Sequence, residues 1–257
     1  MKNRIAVISD IHSNADALMR ALDEIAEKSI NLTIFLGDLL TYGMQPLAVL
    51  GLLDRYKKEN SSVFIKGNHD QFYFDAQRGE GELSYKMPEF VEESFLWTLD
   101  AIGDVVLEDL FDWRENYLIG DIYFAHANPF GYGDWRYLEC ETVLAEAFDE
   151  LAIKKCSIGI FGHSHRQMIS LGGRGSQLVP RVDRFFAEDD GPYIVNAGSV
   201  GQPRGKGFCY LTLEIDDNSV SGEMHSFDCD TENMSCMILS SEFSKETKDK
   251  LLVYLRS

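Results

Sequence analysis

Positive charge is scarce in this chain: 24 lysines and arginines face 42 aspartates and glutamates, leaving a formal charge of −18 and a sequence pI near 4.6. A field of that sign opposes broad binding to nucleic acid or to an anionic membrane surface, so an anionic substrate has to be captured by a local positive centre. Cysteine is sparse and scattered. Cys140, Cys156, Cys209, Cys229 and Cys236 form no CxxC pair, which argues against a zinc knuckle or a disulfide framework and fits reduced thiols. No stretch approaches the roughly 20 apolar residues of a membrane span, and "MKNRIAVISD" lacks the apolar core of a signal peptide. A cytoplasmic location is expected. Heptads, tandem repeats, low-complexity tracts and linkers are also missing, so one globular domain over residues 1–257 is expected.

What the chain does have is a series of short apolar runs, rich in β-branched and aromatic residues, that read as buried strands. They are "IAVIS" at 5–9, "LTIFL" at 32–36, "SVFIK" at 62–66, "IYFA" at 122–125, "SIGIF" at 157–161 and "YIVNA" at 193–197. Helical stripes lie between them. Leu18, Ala21, Leu22 and Ile25 form one, with Ser13 or Asn14 able to cap it; a second opens at Pro46 and runs to about Lys58. Val91, Phe95, Leu99 and Ile102 mark a third, and Val143, Leu144, Ala147, Phe148 and Leu151 a fourth. Hairpins are expected at 117–124, turning at Gly120-Asp121, and at 207–227, with a terminal helix over about 244–256. The region 71–109 reads as a helical flap. The segment 172–191, with Arg181, Arg184, Phe185 and Phe186, reads as a hairpin with one packed face or as a nucleotide-contacting loop. Strands alternating with helices early and antiparallel ribbons late imply a layered α/β domain with more than one sheet.

The polar residues that follow these runs share one character. "IAVIS" is followed by Asp10 and His12, "LTIFL" by Gly37-Asp38, "SVFIK" by Gly67-Asn68-His69-Asp70, "IYFA" by His126, and "SIGIF" by Gly162-His163-Ser164-His165. Five of the six histidines sit in these loops, and carboxyl ends of strands are where open α/β sheets gather their ligands. Asp10 and His12, two apart on extended backbone, would project to one side and hold the same ion, while His163 and His165 could feed two adjacent ions. Asp38 is the natural bridge. The glycines before Asp38, Asn68 and His163 are expected to turn the chain at φ > 0. Carboxylate oxygen mixed with imidazole nitrogen suits divalent manganese, iron, zinc or nickel rather than magnesium or calcium alone. Such a pair of ions, held by two aspartates with a bridging hydroxide, keeps a surplus positive charge for phosphate.

The ordered series D-x-H, G-D, G-N-H-D, H and G-H-x-H resembles the calcineurin-like metallophosphoesterase superfamily, and "SDIHSNADAL", "GDLLTYG", "KGNHD" and "NAGSVGQPR" are similar to its bacterial and archaeal small phosphodiesterase branch. The resemblance runs from about residue 4 to 230. It implies a four-layer α-β-β-α sandwich, with two mixed β-sheets flanked by helices. Carried over by position, it implies that Asp10, His12 and His165 hold a first ion, that Asn68, His126 and His163 hold a second, and that Asp38 bridges them. His69 would stand beside the substrate, oriented by Asp70, and Asn68 would also touch the phosphoryl group. Arg204 could reach a substrate phosphate or form a surface salt bridge.

The activity implied is hydrolysis of a small phosphodiester or a nucleotide-type phosphoanhydride, by in-line attack of a hydroxide bridging two ions about 3.5–4 Å apart. Diadenosine tetraphosphate hydrolysis and phosphomonoester cleavage are alternatives. A serine/threonine protein phosphatase is disfavoured, because Lys66 stands where those enzymes carry arginine. A metal-free scaffold of the same fold should lack several ligands, whereas this chain keeps all seven. The partners expected are small phosphorylated or nucleotide substrates, with no stable nucleic-acid complex and no membrane. His225 lies outside every motif and reads as structural.

Overall fold

The computed structural model describes residues 3–79, 87–172, 177–179, 184–187, 192–205, 207–216 and 219–255. The chain opens with β1 (Asn3–Ile8), α1 (Ala15–Ala26), β2 (Leu32–Phe35), α2 (Pro46–Glu59) and β3 (Ser62–Ile65). Three helices follow, α3 (Asn68–Arg78), α4 (Glu89–Ile102) and α5 (Leu107–Leu110), then β4 (Trp113–Arg114), β5 (Asn116–Ile119) and β6 (Ile122–Ala125). Next come α6 (Glu141–Ile153), β7 (Ile158–Phe161), β8 (Gln167–Leu171), β9 (Gln177–Val179), β10 (Arg184–Ala187) and β11 (Tyr193–Ala197). The long strands β12 (Phe208–Ile215) and β13 (Val220–Phe227) lead into α7 (Glu232–Ser240) and α8 (Lys245–Leu255).

A seven-stranded sheet runs in the order β10-β13-β12-β1-β2-β3-β4, and a six-stranded sheet in the order β5-β6-β7-β11-β8-β9. The two face each other. Alternation along β1 shows why its run is apolar throughout: Ile5 and Val7 enter the layer between the sheets, while Ala6 and Ile8 pack under the outer helices. In the interlayer, Ile34, Leu36 and Leu213 of the first sheet join Phe124, Ile160 and Val195 of the second. Helices α1, α2, α4, α7 and α8 cover the first sheet; α6 covers the second through Leu144, Ala147 and Leu151 against Tyr123, Phe161 and Ile194. The result is the four-layer α/β sandwich. Among the described residues no helix is long and apolar enough to cross a membrane.

The expected strands, the four helical stripes, the terminal helix and both ribbons are all present. Asn14 is the residue that caps α1, its side chain accepting the Ala17 N–H at 3.1 Å. The first ribbon turns where expected, with Gly120 at φ +59°.

Two expectations change. Residues 71–109, expected as a helical flap, contribute most of α3 together with α4 and α5, and α4 is packed against α2 and α8 in the outer helical layer. Residues 80–86 of that region lie outside the described residues. The 172–191 segment is not one hairpin, because β9 pairs with β8 in one sheet and β10 with β13 in the other. Arg184 pairs with Glu223 at 2.7 Å and Phe185 is buried between the sheets. Arg181 lies outside the described residues. His225 is structural: its Nε2 meets the Thr212 hydroxyl at 2.8 Å and its ring stacks on Tyr210.

Candidate metal centre

The loops at the carboxyl ends of β1, β2, β3, β6 and β7 converge on one point and carry nearly every singled-out residue there. Asp10, His12, Asp38 and His165 bring ligand atoms within 4.8 Å of one another, and Asp38, His126 and His163 do the same beside them. Asp38 belongs to both groups. Its Oδ2 lies 3.8 Å from His12 Nε2 and 3.3 Å from His126 Nε2. Asn68 joins the second group through Oδ1, 3.2 Å from His126 Nε2. All six Asp and His side chains are buried, the most exposed being His163 at 7%.

Each histidine is held by its outer nitrogen. Nδ1 of His12, His126 and His165 lies 2.9, 2.7 and 2.6 Å from the carbonyl oxygens of Leu40, Leu36 and Gln202, and Nε2 of His163 lies 3.0 Å from that of Trp135. A ring nitrogen facing a carbonyl must carry the proton, so in the neutral ring the other nitrogen presents a lone pair inward. The inward atoms crowd together. Nε2 of His12 and His165 are 3.1 Å apart, and Asp10 Oδ1, which has no hydrogen-bond partner, lies 3.3 Å from His165 Nε2. Acceptors converging in a dry nest repel one another unless a cation or a proton lies among them, and this donor set fits divalent transition metals.

Backbone geometry departs from the extended arrangement expected for Asp10 and His12. Asp10, His12, Asp38, His163 and His165 all have φ between 48° and 66°. For residues with a Cβ this left-handed region costs about 1 kcal/mol or more each, a strain concentrated at the nest. The glycines play a different part from the expected one. Gly37 has φ +97°, but Gly67 and Gly162 are not at positive φ. They are small because a Cβ at Gly67 would overlap Asp38, and one at Gly162 would overlap Ser9 and Asp10.

Titration follows from burial and proximity. Burial presses His12 down and takes His163 to about 3, so both rings are neutral near pH 7. Burial also acts against a charged His126, but the adjacent Asp38 carboxylate outweighs it and raises that ring to about 9. For Asp10 and Asp38 burial opposes ionisation, yet His165 and His126 respectively hold them below the usual carboxylate range.

Asp70 does not orient His69. Its Oδ2 accepts the N–H groups of Gly67 and Asp38, both at 2.8 Å, and its Oδ1 that of Leu39 at 3.1 Å, so it ties the β2 and β3 loops together. Burial, then the charge of Asp38, push it up to about 7 against those three donors. His69 is instead placed by Tyr42, whose hydroxyl is 3.3 Å from Nε2, while Nδ1 has no partner. Burial lowers His69 to about 4. Arg204 forms no ion pair among the described residues; it is half-buried, donating to Gln202 Oε1 at 3.5 Å and lying 5.0 Å from the Tyr254 ring.

With this geometry in view, the comparison with known proteins is direct: residues 3–167 match the calcineurin-like phosphoesterase family. The chain belongs to that family. This calcineurin-like phosphoesterase is 30% identical over 208 residues to an uncharacterized protein of Methanocaldococcus jannaschii, covering 79% of each chain. Its fold matches that of a metallophosphoesterase from Sphaerobacter thermophilus, with a TM-score of 0.76, 23% identity, and 99% of this chain and 100% of that one covered. A hypothetical protein from Pyrococcus horikoshii gives a TM-score of 0.75 at 17% identity, with coverage of 96% and 97%.

Reading the sequence missed the phosphoesterase's aromatic wall. Tyr42 packs on His12 and His69, with ring centroids 4.6 and 5.0 Å away, and Tyr137 stacks on His163 at 4.5 Å. Tyr42 lies inside "GDLLTYG" and could have been noticed there. Tyr137 and Trp135 sit in a segment without regular structure that carries no local signal.

Proposed function

We propose that this phosphoesterase is a dinuclear, metal-dependent phosphoric ester hydrolase acting on small phosphodiesters or nucleotide-type phosphoanhydrides. The observation that carries the reading is the convergence of buried, inward-facing acceptors in two groups that share Asp38. Asp10, His12, Asp38 and His165 would hold one divalent ion; Asp38, Asn68, His126 and His163 would hold the other. When bound, such a pair would lower the pKa of a bound water toward neutrality and polarise the phosphoryl oxygens.

The chain's own groups supply the rest. The carbonyls of Leu40, Leu36, Gln202 and Trp135 keep four imidazoles in the tautomer that can ligate. The Asn68 amide can donate its N–H to an equatorial phosphoryl oxygen while its Oδ1 faces the nest. His69, neutral near pH 7 because it is buried, has Nε2 3.3 Å from the Tyr42 hydroxyl and 4.0 Å from Asp38 Oδ2, so that this nitrogen faces the nest and can hydrogen-bond the leaving oxygen. Near-complete burial of the ligands excludes bulk water and strengthens each of these interactions. The acidic surface opposes long nucleic-acid substrates.

A substrate panel tests the reading: bis(p-nitrophenyl) phosphate, p-nitrophenyl phosphate and dinucleoside polyphosphates, each with added manganese or nickel. Metal-dependent turnover of a diester or an anhydride is expected, with nearly all of it lost in His126→Ala. Undiminished turnover in that variant would defeat the two-ion reading, and no turnover on any substrate would favour a scaffold role.

A further inference from the structure

A cleft of about 390 Å³ adjoins the nest on the side of the second ligand group, between the 127–139 segment and the turn from β7 to β8. That volume is of the size that holds a small molecule, ~300–1,000 Å³. His163 forms part of its wall, and Tyr137, Leu138 and Met168 make the lining apolar. Tyr137 ties the cleft to the site. One face of its ring stacks on His163, with 4.5 Å between centroids and 10° between planes. The residue is nevertheless 44% exposed, so the other face is uncovered. A ring fixed on one face and open on the other is a stacking platform.

The polar groups around the cleft are engaged with the protein itself. Asn196 donates to the Gly162 carbonyl and accepts the Gly198 N–H at 3.1 Å, Gln167 donates to the Ser226 hydroxyl at 3.2 Å, the Ser164 hydroxyl accepts the Arg166 N–H at 3.2 Å, and Arg166 pairs with Glu139 at 2.9 Å. What the cleft offers a ligand is therefore flat and apolar contact rather than a pattern of donors and acceptors. A planar ring fits that chemistry, and stacking of this kind tolerates different bases. The imidazole of His163 and the phenol of Tyr137 stand one behind the other between the second ligand group and the open face. A ring lying there is separated from a phosphate in the nest by more than the 4.5 Å between their centroids, so it must be carried on a spacer. A nucleobase on a pentose has such a spacer; an aryl group joined through a single oxygen does not.

We propose that this cleft is a base subsite: a nucleobase carried by the substrate phosphate stacks on the free face of Tyr137 while the phosphate lies in the nest. The inference rests on the hydrolase reading above and names its substrate class as nucleotides rather than simple aryl or alkyl diesters. Selection among bases is weak, because side chains already engaged elsewhere do not read a base's edges.

Titration calorimetry on manganese-loaded protein reads the base directly, with the non-hydrolysable methylene phosphonate analogues of adenosine monophosphate and ribose 5-phosphate. Wild type is expected to bind the adenosine analogue at least about tenfold more tightly, whereas phenylphosphonate should gain little over methylphosphonate. Tyr137→Leu removes the platform and Met168→Trp fills the cleft from β8; each should lower the ratio of the two affinities about tenfold, with metal content and melting temperature as folding controls. On metal-free protein, adenosine should show stronger saturation transfer to its base protons than to its ribose protons, and Met168→Trp should abolish the difference. Equal binding of the two analogues in wild type, an unmoved ratio in Met168→Trp, or a phenyl gain as large as the adenosine gain overturns the proposal. Turnover of the substrate panel beside such a result would leave the hydrolase reading intact, whereas base-dependent binding without turnover would reject that reading and leave the cleft assignment standing.

Discussion

The proton on His126 offers a sharp prediction, because the structure sets that ring apart from its neighbours. Its Nδ1 faces the Leu36 carbonyl at 2.7 Å and its Nε2 faces Asp38 Oδ2 at 3.3 Å, so in metal-free protein both nitrogens have an acceptor and the ring is held as imidazolium, with a pKa of about 9. His12 and His163 are pressed down by burial and stay neutral. A cation entering the second group must therefore displace one proton. With a pKa near 9, affinity there should rise about tenfold per pH unit between pH 6 and 8, or about 1.4 kcal/mol per unit. Two-dimensional ¹H–¹⁵N spectra of the imidazoles in metal-free protein at pH 7.5 read the proton directly. His126 should show both N–H groups, His12 only Nδ1–H and His163 only Nε2–H. A His126 ring carrying a single N–H at that pH would refute the reasoning.

Further outcomes follow from the same contacts. Gly162→Ala puts a methyl group into Ser9 and Asp10; about 1–3 kcal/mol of stability should be lost in urea unfolding, together with the metal content measured by plasma emission. Asp70→Asn keeps the shape but turns an amide donor toward backbone N–H groups, so it should cost about 1–3 kcal/mol in the same assay, while a neutral result would mean that the carboxylate does not tie the loops. His69→Ala should retain both ions and lose about 10²–10⁴-fold in kcat with poor leaving groups, and much less with p-nitrophenolate, as a leaving-group series would show. Metal-free protein should also feel the buried neutral rings: His69 and His163, near 4 and 3 when folded, titrate near 6.5 when unfolded. The unfolded chain thus binds more protons below pH 6.5. Their contribution to stability is lost as pH falls from 6.5 toward 4, and His69→Gln should flatten that slope.

Much of the site was legible in the sequence because its candidate ligands follow strands directly. A run such as "IAVIS" buries both faces and must end in a loop at the sheet's edge, so the residues behind five such runs had to meet. What was not legible depends on where distant loops come to rest. The Trp135 carbonyl that holds His163, and the Tyr137 ring stacked on it, come from a segment whose path is set by packing. The left-handed torsions of Asp10 and His12 are invisible to patterning, since periodicity records which face a residue takes on regular backbone. The Asp70 expectation failed because adjacency to His69 in sequence says nothing of the Asp38 and Leu39 amides that claim its oxygens. The strands β9 and β10 were misjudged as one hairpin because two short apolar stretches near a turn look alike whether they share a sheet or divide between two.

The claim beneath all of this is that two cations lie in adjoining places and share Asp38. Anomalous diffraction from crystals grown with manganese tests it most directly. Two peaks are predicted, one among Asp10, His12 and His165 and one among Asn68, His126 and His163, with the Asp38 carboxylate between them. A single peak, or none at saturating manganese, would contradict the account.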